Sequence, residues 1–146
     1  MKLYLMRHGE AEPYSQNDAG RALTPTGRGA VASKARILQD IDLMTVSPYL
    51  RALQSADILV EQGLNVKHRQ VDDRVTPDCA LEPILEHILR ADLSSQLIVA
   101  HNPLLSRLTR HLAGDEARGV NLATAQVACL EADDFLPGCA TLLWVK

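Results

Sequence analysis

Cysteine is scarce in this chain and forms no usable pattern. Cys79, Cys129 and Cys139 are odd in number, widely spaced and without a Cys-x-x-Cys pair. That spacing excludes a secreted disulfide framework and a structural zinc site. The thiols are expected to be reduced, packed as small apolar groups in a cytoplasmic protein. Aromatic residues are equally few: Tyr4, Tyr14, Tyr49, Phe135 and Trp144. With fifteen basic residues against eighteen acidic ones, no nucleic-acid surface is expected. No apolar run approaches the roughly 20 residues that span a bilayer, and Met1 leads straight into a strand-like stretch. Neither a membrane span nor a signal peptide is therefore expected. Internal repeats, low-complexity tracts and linkers are also missing, which leaves a single domain over residues 1–146.

What is present is a mixed, foldable sequence. Of its 146 residues 47% are hydrophobic and the net charge is only −3, so disorder is excluded and a core forms without disulfide or metal staples. Eleven of the fifteen basic residues are arginine, the side chain suited to bidentate recognition of phosphate or carboxylate. Lys2–Met6 reads as a buried strand, and Glu10–Ala22, with Pro13, Ser15, Asn17, Asp18 and Gly20, as a surface loop. Thr24-Pro25 reads as an N-cap followed by a first-turn proline. The helix it opens runs to about Gln39, with Val31, Ala35 and Leu38 on one stripe.

Leu43–Val46 is the second expected strand. Ser47-Pro48 opens a helix that carries Leu50, Leu53, Ala56 and Val60 inward and stops at Gly63. Val66–Val71 predicts a short strand, Ala80–Arg90 a helix, and Leu97–Ala100 a buried strand. His101-Asn102-Pro103 starts a further helix, with Leu105, Leu108 and Leu112 inward and Gly114 at its end. Gln126–Leu130 and Cys139–Val145 predict two strands around Pro137-Gly138. Strands alternating with helices predict an α/β fold, a three-layer αβα sandwich with a mostly parallel central sheet and an antiparallel edge.

In such sheets ligands bind outside the carboxyl ends of the strands. Arg7-His8-Gly9 directly follows the first strand, Arg51 lies one helical turn beyond the second, and His101 directly follows the LIVA strand. Helical side chains lean toward the helix N-terminus, which brings Arg51 over the same edge. A cation in a first helical turn is disfavoured by about 0.3–1 kcal/mol, and a bound anion reverses that sign. Phosphate fits, since helix N-termini bind it and guanidinium matches its oxygens. Taken singly, Arg7 reads as a surface residue, Arg51 as a solvated helix residue and His101 as a cap or core histidine. No single structural role explains all three at one sheet edge.

These residues sit in blocks that resemble the histidine phosphatase superfamily. Leu5-Met6-Arg7-His8-Gly9-Glu10 resembles its N-terminal signature, and Leu23-Thr24-Pro25-Thr26-Gly27 the "L-T-x-x-G" that opens its first helix. Ser47 to Ala56 resembles the "S-P-x-x-R-A-x-Q-T-A" block, with Ser55 in place of the usual Thr. Val99-Ala100-His101 resembles the late "V-x-H" strand end. The blocks run in order from end to end of the chain. About 49 residues separate Arg51 from His101, too few for a lid subdomain, and the short length is similar to the SixA-type branch of phosphohistidine phosphatases.

The resemblance implies a phosphoglycerate-mutase-like domain without a lid that removes phosphate from histidine on a partner protein, such as a histidine phosphotransfer domain in signal transduction. His8 would attack phosphorus and become phosphorylated, with Arg7, Arg51 and His101 on the phosphoryl oxygens. Arg21 matches a further pocket arginine of this branch. No metal or other cofactor is expected, because arginines supply the charge and only two histidines converge. Superfamily enzymes acting on monoesters place a carboxylate between the second arginine and the late histidine. Here Asp78, Glu82 and Glu86 fall in that interval, Asp78 being the best placed general acid, with Glu10 a further candidate. Each also reads as an ordinary exposed carboxylate. A departing imidazole accepts its own proton and needs no such acid.

His68, His87 and His111 read as surface or partly packed. Arg107 and Arg110 read as a solvated helix face, with steering of an acidic partner as the alternative. A monomer is expected, without membrane or nucleic-acid partners. Two rival functions remain at this point: a phosphatase for a small metabolite, and a non-catalytic module that binds phosphoanions.

Overall fold

The computed structural model describes residues 1–13 and 16–146; Tyr14 and Ser15 of the Glu10–Ala22 loop lie outside the described residues. Alternation along the first strand decides the layers. In β1 (Lys2–Arg7), Leu3 and Leu5 join one core cluster and Tyr4 and Met6 the other, and all four are buried. β4 (Ser95–Ala100) is buried at every position, as a parallel strand covered on both faces must be. Its Ile98 and Ala100 pack with Leu3 and Leu5, while Leu97 and Val99 pack with Tyr4 and Met6.

β2 (Ile41–Val46) and β3 (Val66–Val71) complete the parallel part, and β5 (Val127–Glu131) and β6 (Thr141–Val145) add an antiparallel hairpin. The order is β3-β2-β4-β1-β5-β6. α1 (Pro25–Ala32) and α2 (Leu50–Glu61) cover the Tyr4/Met6 face, and α3 (Leu104–Ala113) covers the other. Leu105, Leu108 and Leu112 of α3 are fully buried, each contributing about 1.5–3 kcal/mol of apolar burial. The expected three-layer α/β sandwich is thus the fold. Among the described residues no helix is long and apolar enough to cross a membrane.

Register fixes where the functional edge lies. Arg7 pairs with Ala100 and Val46 with Val99, so β1 and β4 end level with one another and β2 one residue short of them. The residues that follow them, His8, Ser47 and His101, leave the sheet side by side.

Four sequence expectations need correction. The first helix ends at Ala32 rather than near Gln39, and the chain continues through a 3-10 turn at Ala35–Ile37. That tighter turn still delivers Ala35 and Leu38 to the core. The N-cap of α2 is Tyr49, not Ser47, whose hydroxyl accepts from the Tyr49 amide at 3.3 Å and also reaches His101. The inward face of α2 is Arg51, Ala52, Ser55, Ala56, Ile58 and Leu59, whereas Leu50 and Leu53 are half-buried and Val60 is exposed. Apolar residues occupy several faces of this helix, so hydropathy alone leaves its phase undetermined, and the site turns two polar residues inward. The helix expected over Ala80–Arg90 is shorter, running over residues 82–88 and ending in a π turn at Ile84–Ile88, closed by the Leu89 amide donating to the Ile84 carbonyl at 2.9 Å.

Candidate active site

Small and hydroxyl-bearing residues tie the loops around His8. The Gly9 amide donates to Ser55 Oγ at 3.0 Å, and the Ser55 hydroxyl donates to the Arg51 carbonyl at 2.7 Å. This clasp holds the segment after β1 against the first turns of α2. The Leu23 amide donates to Gln54 Oε1 at 2.8 Å, and the Thr24 hydroxyl caps α1 by accepting from the Gly27 amide at 2.9 Å. Gly27 permits the approach of the two loops, since a Cβ there would stand 2.2 Å from the Glu10 carbonyl oxygen. The residues that make up the sequence blocks are therefore joined by direct contacts.

His8 is buried, and its Nδ1 lies 2.7 Å from the Gly9 carbonyl. A carbonyl only accepts, so Nδ1 carries the proton and Nε2 keeps its lone pair. Arg51 Nε donates to that Nε2 at 3.2 Å. The ring centroid of His101 lies 5.0 Å from that of His8, and the Tyr49 and His101 rings meet in a T-shaped arrangement with centroids 4.9 Å apart. His101 Nε2 is 2.6 Å from Ser47 Oγ. The convergence expected from the three strand ends is present.

Arg51 is only 4% exposed. Its guanidinium lies 4.9 Å over the Tyr49 ring and donates to the Asp18 carbonyl at 2.8 Å, with Asp18 Oδ2 at 3.4 Å. Arg21 reaches the same carboxylate, Nε to Oδ1 at 2.9 Å, and also the Glu12 carbonyl. Arg7 donates to the Leu122 carbonyl at 3.0 Å. Arg7, His8, Arg21, Arg51 and His101 all line one cavity of about 430 Å³, together with Glu10, Asp18 and Asp78. Glu82 and Glu86 are exposed and lie outside this lining.

Both imidazoles are held neutral. Burial pushes His8 down to about 4, helped by Arg51, Arg7 and Arg21 and opposed by the Gly9 carbonyl. Burial, then His8 and the same arginines, push His101 down to about 2. Burial and the neighbouring Arg51 also lower Arg7. For Asp18, burial raises the carboxyl, but Arg51 and Arg21 outweigh it and the net shift is downward. Two buried polar atoms of the cavity residues, Arg7 Nε and His101 Nδ1, have no partner among the described residues. Such orphans cost about 1–3 kcal/mol each and leave capacity for a ligand's oxygens. Among the described residues no group of three or more His, Cys, Asp or Glu side chains is placed to hold a metal ion.

Sequence reasoning missed Asp18, Tyr49 and Ser47 as members of this cluster. Asp18 was legible only as a loop former, although its spacing three residues before Arg21 is the geometry of a local ion pair. Tyr49 and Ser47 were masked by the expected helix cap.

Comparison with known proteins agrees with this geometry. Residues 3–75 match the histidine phosphatase superfamily (branch 1). The chain is 29% identical to phosphohistidine phosphatase SixA of Escherichia coli (strain K12), covering 99% of this chain and 92% of that protein. It is 27% identical to a phosphohistidine phosphatase SixA homolog of Haemophilus influenzae, covering 78% of each. Its fold superposes on the protein histidine phosphatase SixA complexed with tungstate with a TM-score of 0.85 at 25% identity, covering 99% of this chain and 96% of that one. Half the chain matching in order, with the matched Arg7, His8 and Arg51 gathered in one cavity, settles its kinship: this protein belongs to branch 1 of the histidine phosphatase superfamily.

Proposed function

We propose that this superfamily hydrolase removes phosphate from phosphohistidine on a partner protein, through a phosphorylated His8. The observation that carries the reading is the unprotonated Nε2 of a buried His8 set between Arg51 and His101. In the first step the Nε2 lone pair attacks phosphorus in line and the bond from phosphorus to the substrate's imidazole nitrogen breaks. The departing imidazole keeps that electron pair and takes a proton from water. In the second step water attacks phospho-His8, releasing inorganic phosphate and regenerating the neutral ring.

Arg7, Arg21, Arg51 and His101 are proposed to bind the phosphoryl oxygens and stabilise their charge. The unpartnered Arg7 Nε and His101 Nδ1 support this role, as does the tungstate, a tetrahedral oxyanion, in the SixA complex. The chemistry as proposed runs on guanidinium charge without a metal. Names of the relatives support a phosphohistidine substrate. Arg51 and His101 are joined by a stretch holding only short elements, and the absence of a lid in that stretch suits a protein substrate.

The test is to mix the protein with a histidine phosphotransfer domain carrying labelled phosphate. Wild type should release the phosphate and pass through acid-labile label on His8, and His8→Ala should do neither. Retention of phosphate by wild type overturns the assignment, and turnover without label on His8 overturns the intermediate.

Asp78 favours a second reading, in which a small phosphate monoester is cleaved. It lines the cavity with Glu10, and an alkoxide leaving group needs such an acid.

A further inference from the structure

Beside the catalytic cavity lies a second groove of about 670 Å³, and both are lined by Arg7 and Asn102. One side of it is α3, where Arg107 and Arg110 stand one turn apart. Leu81 and Val120 give it an apolar part. Three arginines line this groove and no carboxylate does, in a chain whose net charge is −3. Both Arg107 and Arg110 are exposed. Arg107 donates to the Cys79 carbonyl at 3.2 Å, whereas the Arg110 guanidinium has no partner among the described residues. Like charges at this helical spacing repel each other, and an anion laid between them removes the repulsion.

We infer that this groove docks the protein chain that carries the phosphohistidine, and that it takes an acidic segment containing an apolar residue. The inference rests on the reading that the substrate is a phosphorylated protein. The charge surplus supplies the preference for acid, and Leu81 with Val120 supplies the apolar contact. The position is set by α3. Leu104 to Arg110 spans about 9 Å along the helix, which an extended chain covers in about three residues. The acidic residues of the substrate therefore lie about three to five positions from its phosphohistidine, and a small phosphoramidate does not reach the groove.

Two phosphohistidine peptides of equal length test this. One carries Asp, Glu and a Leu three to five positions to either side of the phosphohistidine, and the other carries Lys in place of the acids. Wild type should cleave the acidic peptide with a kcat/KM about tenfold higher, expressed in KM and shrinking as salt is added. Arg110→Glu should abolish the preference while inorganic phosphoramidate is hydrolysed within about twofold of wild type. Arg107→Gln is the second variant and should weaken the preference in the same direction. Equal cleavage of both peptides by wild type overturns the docking groove alone, as does a preference that survives both substitutions. A fall on phosphoramidate equal to the fall on the acidic peptide also overturns it. Hydrolysis of phosphoramidate with neither peptide cleaved overturns the protein-substrate reading itself.

Discussion

At His8 the decisive quantity is which nitrogen holds the proton. The Gly9 carbonyl fixes it on Nδ1, and burial with the surrounding arginines holds the ring's titration near 4 instead of 6.5. Protonation of the ring removes the nucleophile, and that event is displaced to lower pH. The acid limb of kcat/KM, which reports the free enzyme, should therefore fall below pH 5 after correction for the substrate's own ionisation. A limb centred near 6.5 would mean that His8 is solvated and unperturbed. Asp78 is a separable question at the same scale. On a P–N substrate Asp78→Asn should change kcat by less than about threefold, while on an alkyl monoester any existing activity should drop by about 10²-fold or more. An equal loss on both substrates would make Asp78 a binding group rather than an acid.

Arg7, His8, Arg51 and His101 were legible in the sequence because each follows a recognisable strand or helix start. Asp18 was not, since it arrives from a loop whose path no periodicity encodes.

The elements owe their arrangement to a few close approaches. The Gly27 position leaves no room for a side chain between α1 and the Glu10 backbone. Gly27→Ala should destabilise the protein by about 1–3 kcal/mol through overpacking and lower activity by displacing the segment that carries His8. Denaturant midpoints and steady-state rates check both effects, and a fully active, equally stable variant would show that the loop yields freely. Element types were readable from cap, proline and apolar pattern, as the strands and α3 demonstrate. The phase of α2 was not, because its inward face is decided by Arg51 and Ser55 reaching the site. Nor was the shortening of Ala80–Arg90 to residues 82–88 with a closing π turn, where only Ile84, Ile88 and Leu89 are buried.

For the molecule as a whole, two histidines kept neutral inside the fold couple stability to pH. Unfolding restores an ordinary imidazole that binds a proton below about 6.5, whereas the folded rings refuse it until about 4 for His8 and about 2 for His101. The unfolded state then holds more protons, so stability must fall as pH drops from 6.5 toward 4 and continue falling, more slowly, below that. His8 alone accounts for about 3 kcal/mol of this loss, and the two contributions are not additive because the rings interact. Urea midpoints should decline between pH 7 and pH 5 in wild type and decline less in His8→Gln. Parallel declines in the two proteins would assign the sensitivity to other groups.

The near-level termination of β1, β2 and β4, within one residue, has a consequence for how tolerant this architecture is. Because the ladder of backbone bonds and the clasp from α2 set the coordinates of His8 and His101, the turn between Thr76 and Leu81 is not needed to aim them. Extra residues grafted between Thr76 and Leu81 would roof the cavity without shifting its floor, converting an open mouth into an enclosed one. Substrate range in such a scaffold is thus adjustable by splicing at a single surface turn, while the reacting groups stay where the strands leave them.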